Sequence, residues 1–408
     1  MWFYNLCMVI YGALIRLAAP FCPKAQLWCA GRKGMYERMR NVICKSDNIV
    51  WIHVASLGDF EQGRPLVDYV KENYPDYKIL LTFFSPSGYE VRKDYKNADY
   101  VFYIPSDTKG EVRKFLDIVQ PKVAIFVKYE FWLNMLAALR ERNIRTFIVS
   151  AIFRRNSIFF NPFGSIWRRG LRSFEMLFVQ DEASKQLLSK IGITNVEVAG
   201  DTRFDRVATI AESGEKIALI EQFKGEKRLF VAGSTWGPDE DILLSLINSN
   251  PDIKFVIAPH EMEESRIEKL ISEVSGGAVR YTQLPAAGFE NKQVLVLDTM
   301  GLLSRAYASA EWAYVGGGFG VGIHNTLEAV VHGVPVAFGV KYRKFKEACD
   351  LIALGVGRSV KNEQELQMWF DELKSDKEYL ARLSVIAKVY VGQHRGTTEK
   401  VVREIFSK

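Results

Sequence analysis

Short apolar runs alternate with helical patterns along most of this chain, and the pattern occurs twice. The first series of strand-like runs is Ile49–Val54, Lys78–Phe84, Tyr100–Tyr103, Lys122–Lys128, Arg145–Ser150, Phe174–Gln180 and Val196–Ala199. The second is Arg228–Gly233, Lys254–Ala258, Gln293–Leu297, Glu311–Val315 and Pro335–Phe338. Helical patterns fall between them, among others Lys109–Val119, Phe131–Arg142, Pro238–Asn248, Glu263–Val274, Met300–Tyr307 and Asn325–His332. Continuous apolar strands separated by helices predict parallel sheets covered on both faces. The polar stretch Ala208–Lys227 reads as the linker between halves. The expectation is therefore two doubly wound, Rossmann-like α/β domains, 21–207 and 208–408, facing one another across a cleft. Ligands bind at the carboxyl ends of such sheets.

Residues 2–20 stand apart. They are apolar except for Asn5 and Arg16, and Lys24, Arg32, Lys33, Arg38, Arg40 and Lys45 follow them. A spanning helix needs about 20 apolar residues. The run barely reaches that length, and the basic cluster marks a cytoplasmic flank. Residues 1–20 are expected to form a membrane anchor helix or a helix lying in the membrane plane.

Composition excludes several classes. At 408 residues, 48% hydrophobic and 25% charged, the chain is a folded protein of about two domains. A net charge of +6 favours anionic partners without calling for nucleic acid. Five cysteines without a CxxC pair and five scattered histidines predict neither a disulfide framework nor a metal site.

The chemistry sits in loops that follow strands. In the first half, Ser56 and Gly58 turn the chain so that Asp59 and Glu61 lie at a strand's carboxyl end, where a carboxylate can act as general base on a hydroxyl. Lys128 and Glu130 follow another buried strand, and charges at such a place bind a substrate or each other. Arg154 and Arg155 open a basic segment interleaved with Phe153, Phe159, Phe160, Phe163 and Trp167, a mixture suited to a phosphorylated lipid. In the second half, Ser234 and Thr235, His260, and Met300 and Gly301 end successive strands. The run Gly316–Glu328 then joins a strand to a helix. Its bare backbone lets an anion approach unpaired N–H groups, Asn325 caps the helix, and Glu328 accepts sugar hydroxyls.

Taken in order, these motifs resemble the lipopolysaccharide Kdo (3-deoxy-D-manno-octulosonic acid) transferases. The resemblance rests on Ala55–Gly58, Glu130-Phe131-Trp132-x-Asn134, Gly200–Asp205, Pro259-His260, Asp298–Gly301 and Gly322–Glu328. It implies a GT-B fold and an inverting, single-displacement transfer of Kdo from CMP-Kdo to a lipid A precursor. The setting it implies is the cytoplasmic face of the inner membrane. The catalytic base of the family maps to Asp59, where other members usually carry Glu, and Glu61 stands nearby as a substitute. Ser234, Thr235, His260, Met300, Gly301, Gly322, His324, Asn325, Glu328 and Arg203 would hold the donor. Ser56, Gly58, Lys128, Glu130, Arg154 and Arg155 would hold the acceptor. No metal or other cofactor is expected.

Two rival enzymes share parts of this pattern. One is another GT-B nucleotide-sugar transferase or a UDP-sugar 2-epimerase. The other is a dehydrogenase, since Gly318-x-Gly320-x-Gly322 is similar to a dinucleotide loop. That loop comes late in the chain, and no acidic residue ends the next strand, Pro335–Phe338.

Overall fold

A computed structural model describes residues 1–407 apart from 285 and 287. The chain divides into two compact units. The first takes in Met1–Arg206 and Gly396–Lys408, and the second Val207–Arg395.

The first unit is built on seven strands: β1 (Ile49–Val54), β2 (Lys78–Phe83), β3 (Tyr100–Tyr103), β4 (Val123–Val127), β5 (Arg145–Ala151), β6 (Met176–Val179) and β7 (Val196–Val198). They pair in the order β3-β2-β1-β4-β5-β6-β7, all parallel. This is a doubly wound arrangement with helices on both faces. All of β1 and β4 is buried, which is why these strands read as near-continuous apolar runs, interrupted in β1 by His53 alone. Trp51, Leu80, Phe115 and Phe126 pack on one face; Val50, Ile52, Leu66 and Val67 pack on the other. Burial of each large side chain contributes roughly 1.5–3 kcal/mol.

The last helix, Thr397–Phe406, belongs to this first unit and not, as the sequence pattern implied, to the second. Its Val401, Val402 and Ile405 are buried in the β1 face cluster. Its start is held by Asp205, whose carboxylate accepts from the backbone of Gly396 (2.6 Å) and of Thr398 (2.7 Å). A carboxylate there satisfies orphan N–H groups at the positive helix end.

The N-terminal helix, Trp2–Ala18, is also part of this unit, docked by its few polar atoms. The Tyr4 hydroxyl donates to Asp107 (2.6 Å), and Asn134 Nδ2 donates to Asn5 (2.7 Å). Asp107 in turn accepts from the backbone of Asn134 and Met135, at the head of the helix Leu133–Glu141. Its burial raises the affinity of its carboxyl for a proton. The helix thus turns Tyr4 and Asn5 inward and much of its apolar surface outward: Trp2 and Phe3 are 77% and 72% exposed, and Phe21 beyond it 89%. Among the described residues no single helix is long and apolar enough to cross a membrane; this helix and Pro23–Arg32 form a pair bent by 116°.

The second unit holds β8 (Leu229–Thr235), β9 (Lys254–Pro259), β10 (Ala278–Arg280), β11 (Val294–Val296), β12 (Trp312–Val315), β13 (Val336–Phe338) and β14 (Gly357–Ser359). The parallel order is β10-β11-β9-β8-β12-β13-β14. Edge strands β10 (Ala-Val-Arg) and β14 (Gly-Arg-Ser) are short and each carries an arginine, so neither leaves an apolar run in the sequence.

Candidate active site

Three non-glycine residues adopt left-handed backbone at strand ends: Lys128 (φ 70°) after β4, Ser150 (φ 54°) in β5 and Ser234 (φ 53°) in β8. Register shifts accompany the two serines. Such backbone costs about 1–3 kcal/mol per residue and persists where surrounding contacts impose it. It re-aims the side chains at the carboxyl ends of the sheets.

In the first unit, Ser56 caps the helix Leu57–Asn73. Its hydroxyl donates to Asp59 Oδ2 (2.6 Å) and accepts from the Asp59 N–H (3.3 Å). Asp59 Oδ1 lies 3.3 Å from Lys128 Nζ, so the acid after β1 and the base after β4 are brought together. β1 and β4 are neighbours in the sheet, and this makes the pairing possible. Gly58 is exposed in the same turn. Glu61 faces elsewhere: it accepts from Arg206 Nε (2.9 Å) and lies 3.6 Å from Arg92.

Glu130 is held by a buried relay. Trp51 Nε1 donates to Thr82 Oγ1 (2.8 Å), and Thr82 Oγ1 lies 2.9 Å from His53 Nδ1. His53 Nε2 lies 2.9 Å from Glu130 Oε2, which also accepts from Trp132 Nε1 (2.6 Å). A carboxylate only accepts, so His53 Nε2 carries a proton toward Glu130, while Nδ1 faces both the hydroxyl and, at 3.1 Å, the carbonyl of Thr82. Both donors use one Glu130 oxygen.

Arg203, read from sequence as a donor contact, lies in the first unit. There its guanidinium pairs with the buried Asp201 at 2.8 Å. Burial pushes the Asp201 carboxyl up, but Arg203 and Gln62 outweigh it and hold the group below the usual carboxylate range. Thr202 donates to the Gln62 carbonyl (2.6 Å). Together with Asp205, the segment Gly200–Asp205 therefore ties core elements together. Arg154 and Arg155 are exposed, and the Tyr129 phenol hydrogen-bonds Arg154.

In the second unit three strand ends converge. The His260 and His324 rings stack at 4.2 Å, and Trp236 stacks on His260 at 4.8 Å. Trp236 Nε1 donates to His324 Nε2 (3.2 Å). Indole nitrogen only donates, so His324 is neutral with its proton on Nδ1. Burial, with His260 alongside, lowers its pKa to about 4; burial lowers His260 as well. The sequence reading missed Trp236, although it directly follows the Gly233-Ser234-Thr235 end of β8.

The glycine turn is clamped from below by Asp239, another residue not singled out. It accepts from the Gly317 N–H (2.9 Å), the Trp236 N–H (2.9 Å) and the Tyr314 hydroxyl (2.8 Å). Gly317 has φ 89°, and a Cβ on Gly318 would meet the Gly339 backbone at 2.5 Å. Lys341 and Lys344 donate to the Gly320 and Val321 carbonyls at 2.7 and 2.5 Å. Lys344 also occupies the space beside Gly322 that a Cβ would need. The helix after the turn is a single turn, Leu327–Val330, not the expected Asn325–His332. The dipole contribution is correspondingly small, and the N–H groups of Gly316, Gly317, Gly320, Gly322 and His324, expected to be unpaired, already donate within the protein. Asn325 Oδ1 accepts from the Leu327 N–H (3.2 Å), and its Nδ2 donates to Glu328 (3.1 Å). Thr235 turns inward to Glu240 (2.8 Å). Met300, 73% exposed, and Gly301 lie on a separate loop after β11.

These features define a two-domain, parallel-sheet α/β protein. The UDP-GlcNAc 2-epimerase of Neisseria meningitidis, solved with UDP-GlcNAc, shares this fold. It has a TM-score of 0.64 and 17% identity, covering 88% of this chain and 100% of that one. Residues 30–206 match the family described as 3-deoxy-D-manno-octulosonic-acid transferase (kdotransferase). The 3-deoxy-D-manno-octulosonic acid transferase of Haemophilus influenzae is 26% identical over 97% of this chain and 95% of its own length. A bifunctional glycosyltransferase/methyltransferase of Fusobacterium nucleatum is 27% identical over 82% of this chain; the chain spans 54% of its length. By the family model and these relatives, the chain is similar to glycosyltransferases. More particularly, the similarity is to the Kdo transferases, as the motifs implied.

Proposed function

We propose that the chain transfers Kdo from CMP-Kdo to a primary hydroxyl of a lipid A precursor. The observation that carries the reading is the docking of the N-terminal helix. Asn5 holds Asn134, four residues from Glu130, so an outward apolar surface borders the candidate acceptor loop. A lipid acceptor delivered at a membrane surface explains that placement; a soluble sugar nucleotide alone does not. The bent helix pair then lies in the plane of the cytoplasmic leaflet, with Arg16, Lys24 and Lys33 close to its headgroups.

In this reaction Asp59 takes the proton of the attacking hydroxyl, oriented by Ser56 and Lys128. The oxygen bonds to the anomeric carbon as the bond to the CMP phosphate breaks, which inverts the configuration. The leaving phosphate meets neutral His324 and His260, donors fixed before charge develops. Glu328 accepts ribose hydroxyls. Glu130, with one oxygen unused by its relay, orients the acceptor sugar.

Mass spectrometry of a tetraacylated glucosamine disaccharide bisphosphate incubated with CMP-Kdo and the full chain tests this. The expected product carries added Kdo; an unchanged acceptor, with CMP-Kdo intact, overturns the proposal. The epimerase fold offers a second reading, which calorimetry decides: UDP binding more tightly than CMP favours it.

A further inference from the structure

A second cavity of the first unit has no part in the chemistry above. It measures about 460 Å³ and runs along the helix Leu133–Glu141. That volume falls within the roughly 300–1,000 Å³ of small-molecule sites. Its floor is apolar, made by Val112, Leu133, Ala137, Ala138 and Ile166. Its rim carries Lys109, Arg113 and Arg169, all exposed, with no hydrogen-bond or ion-pair partner among the described residues. Arg142 also lines it but is paired with Asp117 at 2.7 Å, and one carboxylate, Glu141, is present. Three unpartnered cations against one acid leave the rim positive. Met1 forms one end of the cavity, next to the exposed Trp2 and Phe3; Phe163, 88% exposed, precedes Ile166 by three residues. From Asn134 the cavity extends to Arg142, toward the amino end of β5 and away from Glu130.

We infer that this cavity holds one anionic glycerophospholipid of the bilayer, as a bound lipid that does not react. Its phosphate sits among Lys109, Arg113 and Arg169, and one acyl chain lies on the Val112–Ala137–Ile166 floor. Basic side chains on the rim of an apolar trough match an amphiphile with an anionic head. A membrane-proximal entrance lets such a lipid slide in without leaving the leaflet. The inference rests on the membrane-surface part of the proposed function and is independent of sugar transfer.

Native mass spectrometry of the full chain, in neutral detergent with phosphatidylglycerol or phosphatidylcholine, tests it. One phosphatidylglycerol per chain is expected, bound at least tenfold more tightly than phosphatidylcholine. Ala137→Trp, which fills the floor, and the double change Arg113→Glu/Arg169→Glu on the rim should each weaken binding at least tenfold. If Ala137→Trp does not fold, the surface double variant decides. Equal binding of the two lipids, or unchanged binding in the folded variants, overturns the inference. So does displacement of phosphatidylglycerol by the tetraacylated disaccharide bisphosphate, which would make the cavity part of the acceptor site. No CMP-Kdo is involved, so failure here and failure of the proposed transfer read out separately.

Discussion

Lys128 places its ammonium 3.3 Å from the Asp59 carboxylate while its own backbone is held at φ 70°. The chain accepts an unfavourable conformation at a residue whose side chain reaches the proposed base. Lys128→Gly removes both the strain and the cation. It is expected to leave the midpoint of thermal unfolding unchanged or higher, while turnover falls. Melting curves and steady-state kinetics on the same preparation check this; undiminished turnover would remove Lys128 from the site.

Asp59→Asn keeps the size of the side chain and removes the base. Turnover should fall by about 10²–10⁴-fold, the usual contribution of a positioned general base. CMP-Kdo affinity by calorimetry should be unchanged, because the residues proposed to hold the donor, Arg203 apart, lie in the other unit. A variant that retains full activity would eliminate Asp59 as the base.

His53 is fully buried and connects Thr82 to Glu130. His53→Ala leaves Thr82 without this ring partner and the Glu130 oxygen with Trp132 alone. The expected loss is about 1–3 kcal/mol for a buried polar group left unsatisfied, with a further loss from the emptied volume. Urea unfolding of wild type and variant measures it; a difference below the error of the method would mean the relay is not formed.

Gly318→Ala sets a Cβ against the backbone of Gly339, which has no side chain to swing aside. Overpacking of this kind costs about 1–3 kcal/mol and displaces the turn. Weaker CMP binding together with a lower unfolding midpoint is expected, and calorimetry with thermal melts provides both numbers.

His324 gives the fold a pH dependence of definite sign. Its pKa is lowered to about 4 in the folded chain from the ordinary 6.5. The unfolded chain therefore takes up a proton first as pH falls. The stability that neutral His324 contributes is complete above about pH 6.5 and is lost progressively toward pH 4. The loss is about 1–2 kcal/mol once solvent access to the ring is allowed for. His324→Gln should flatten the stability profile over that window; an unchanged profile would assign the dependence to another group.

The sequence placed twelve of the fourteen strands among the described residues, because buried parallel strands leave near-continuous apolar runs such as Val123–Val127. It also located Ser56–Asp59, His260 and Gly316–Glu328 at strand ends, where turn-forming residues break those runs. These are local signals: backbone sterics and burial periodicity act within a few residues. Partnership is not local. Nothing near Glu61 indicates that it meets Arg206, 145 residues on, nor near Asp201 that Arg203 neutralises it inside the core. The apolar run 2–20 fixed a helix, but only the docking of Tyr4 and Asn5 decided that its apolar side faces outward. The amphipathic pattern of Thr397–Phe406 called for a partner without naming it, and the strand order put that partner in the first unit. A sequence sets what each segment must bury or pair; the order and register of the strands determine which distant segment satisfies the need.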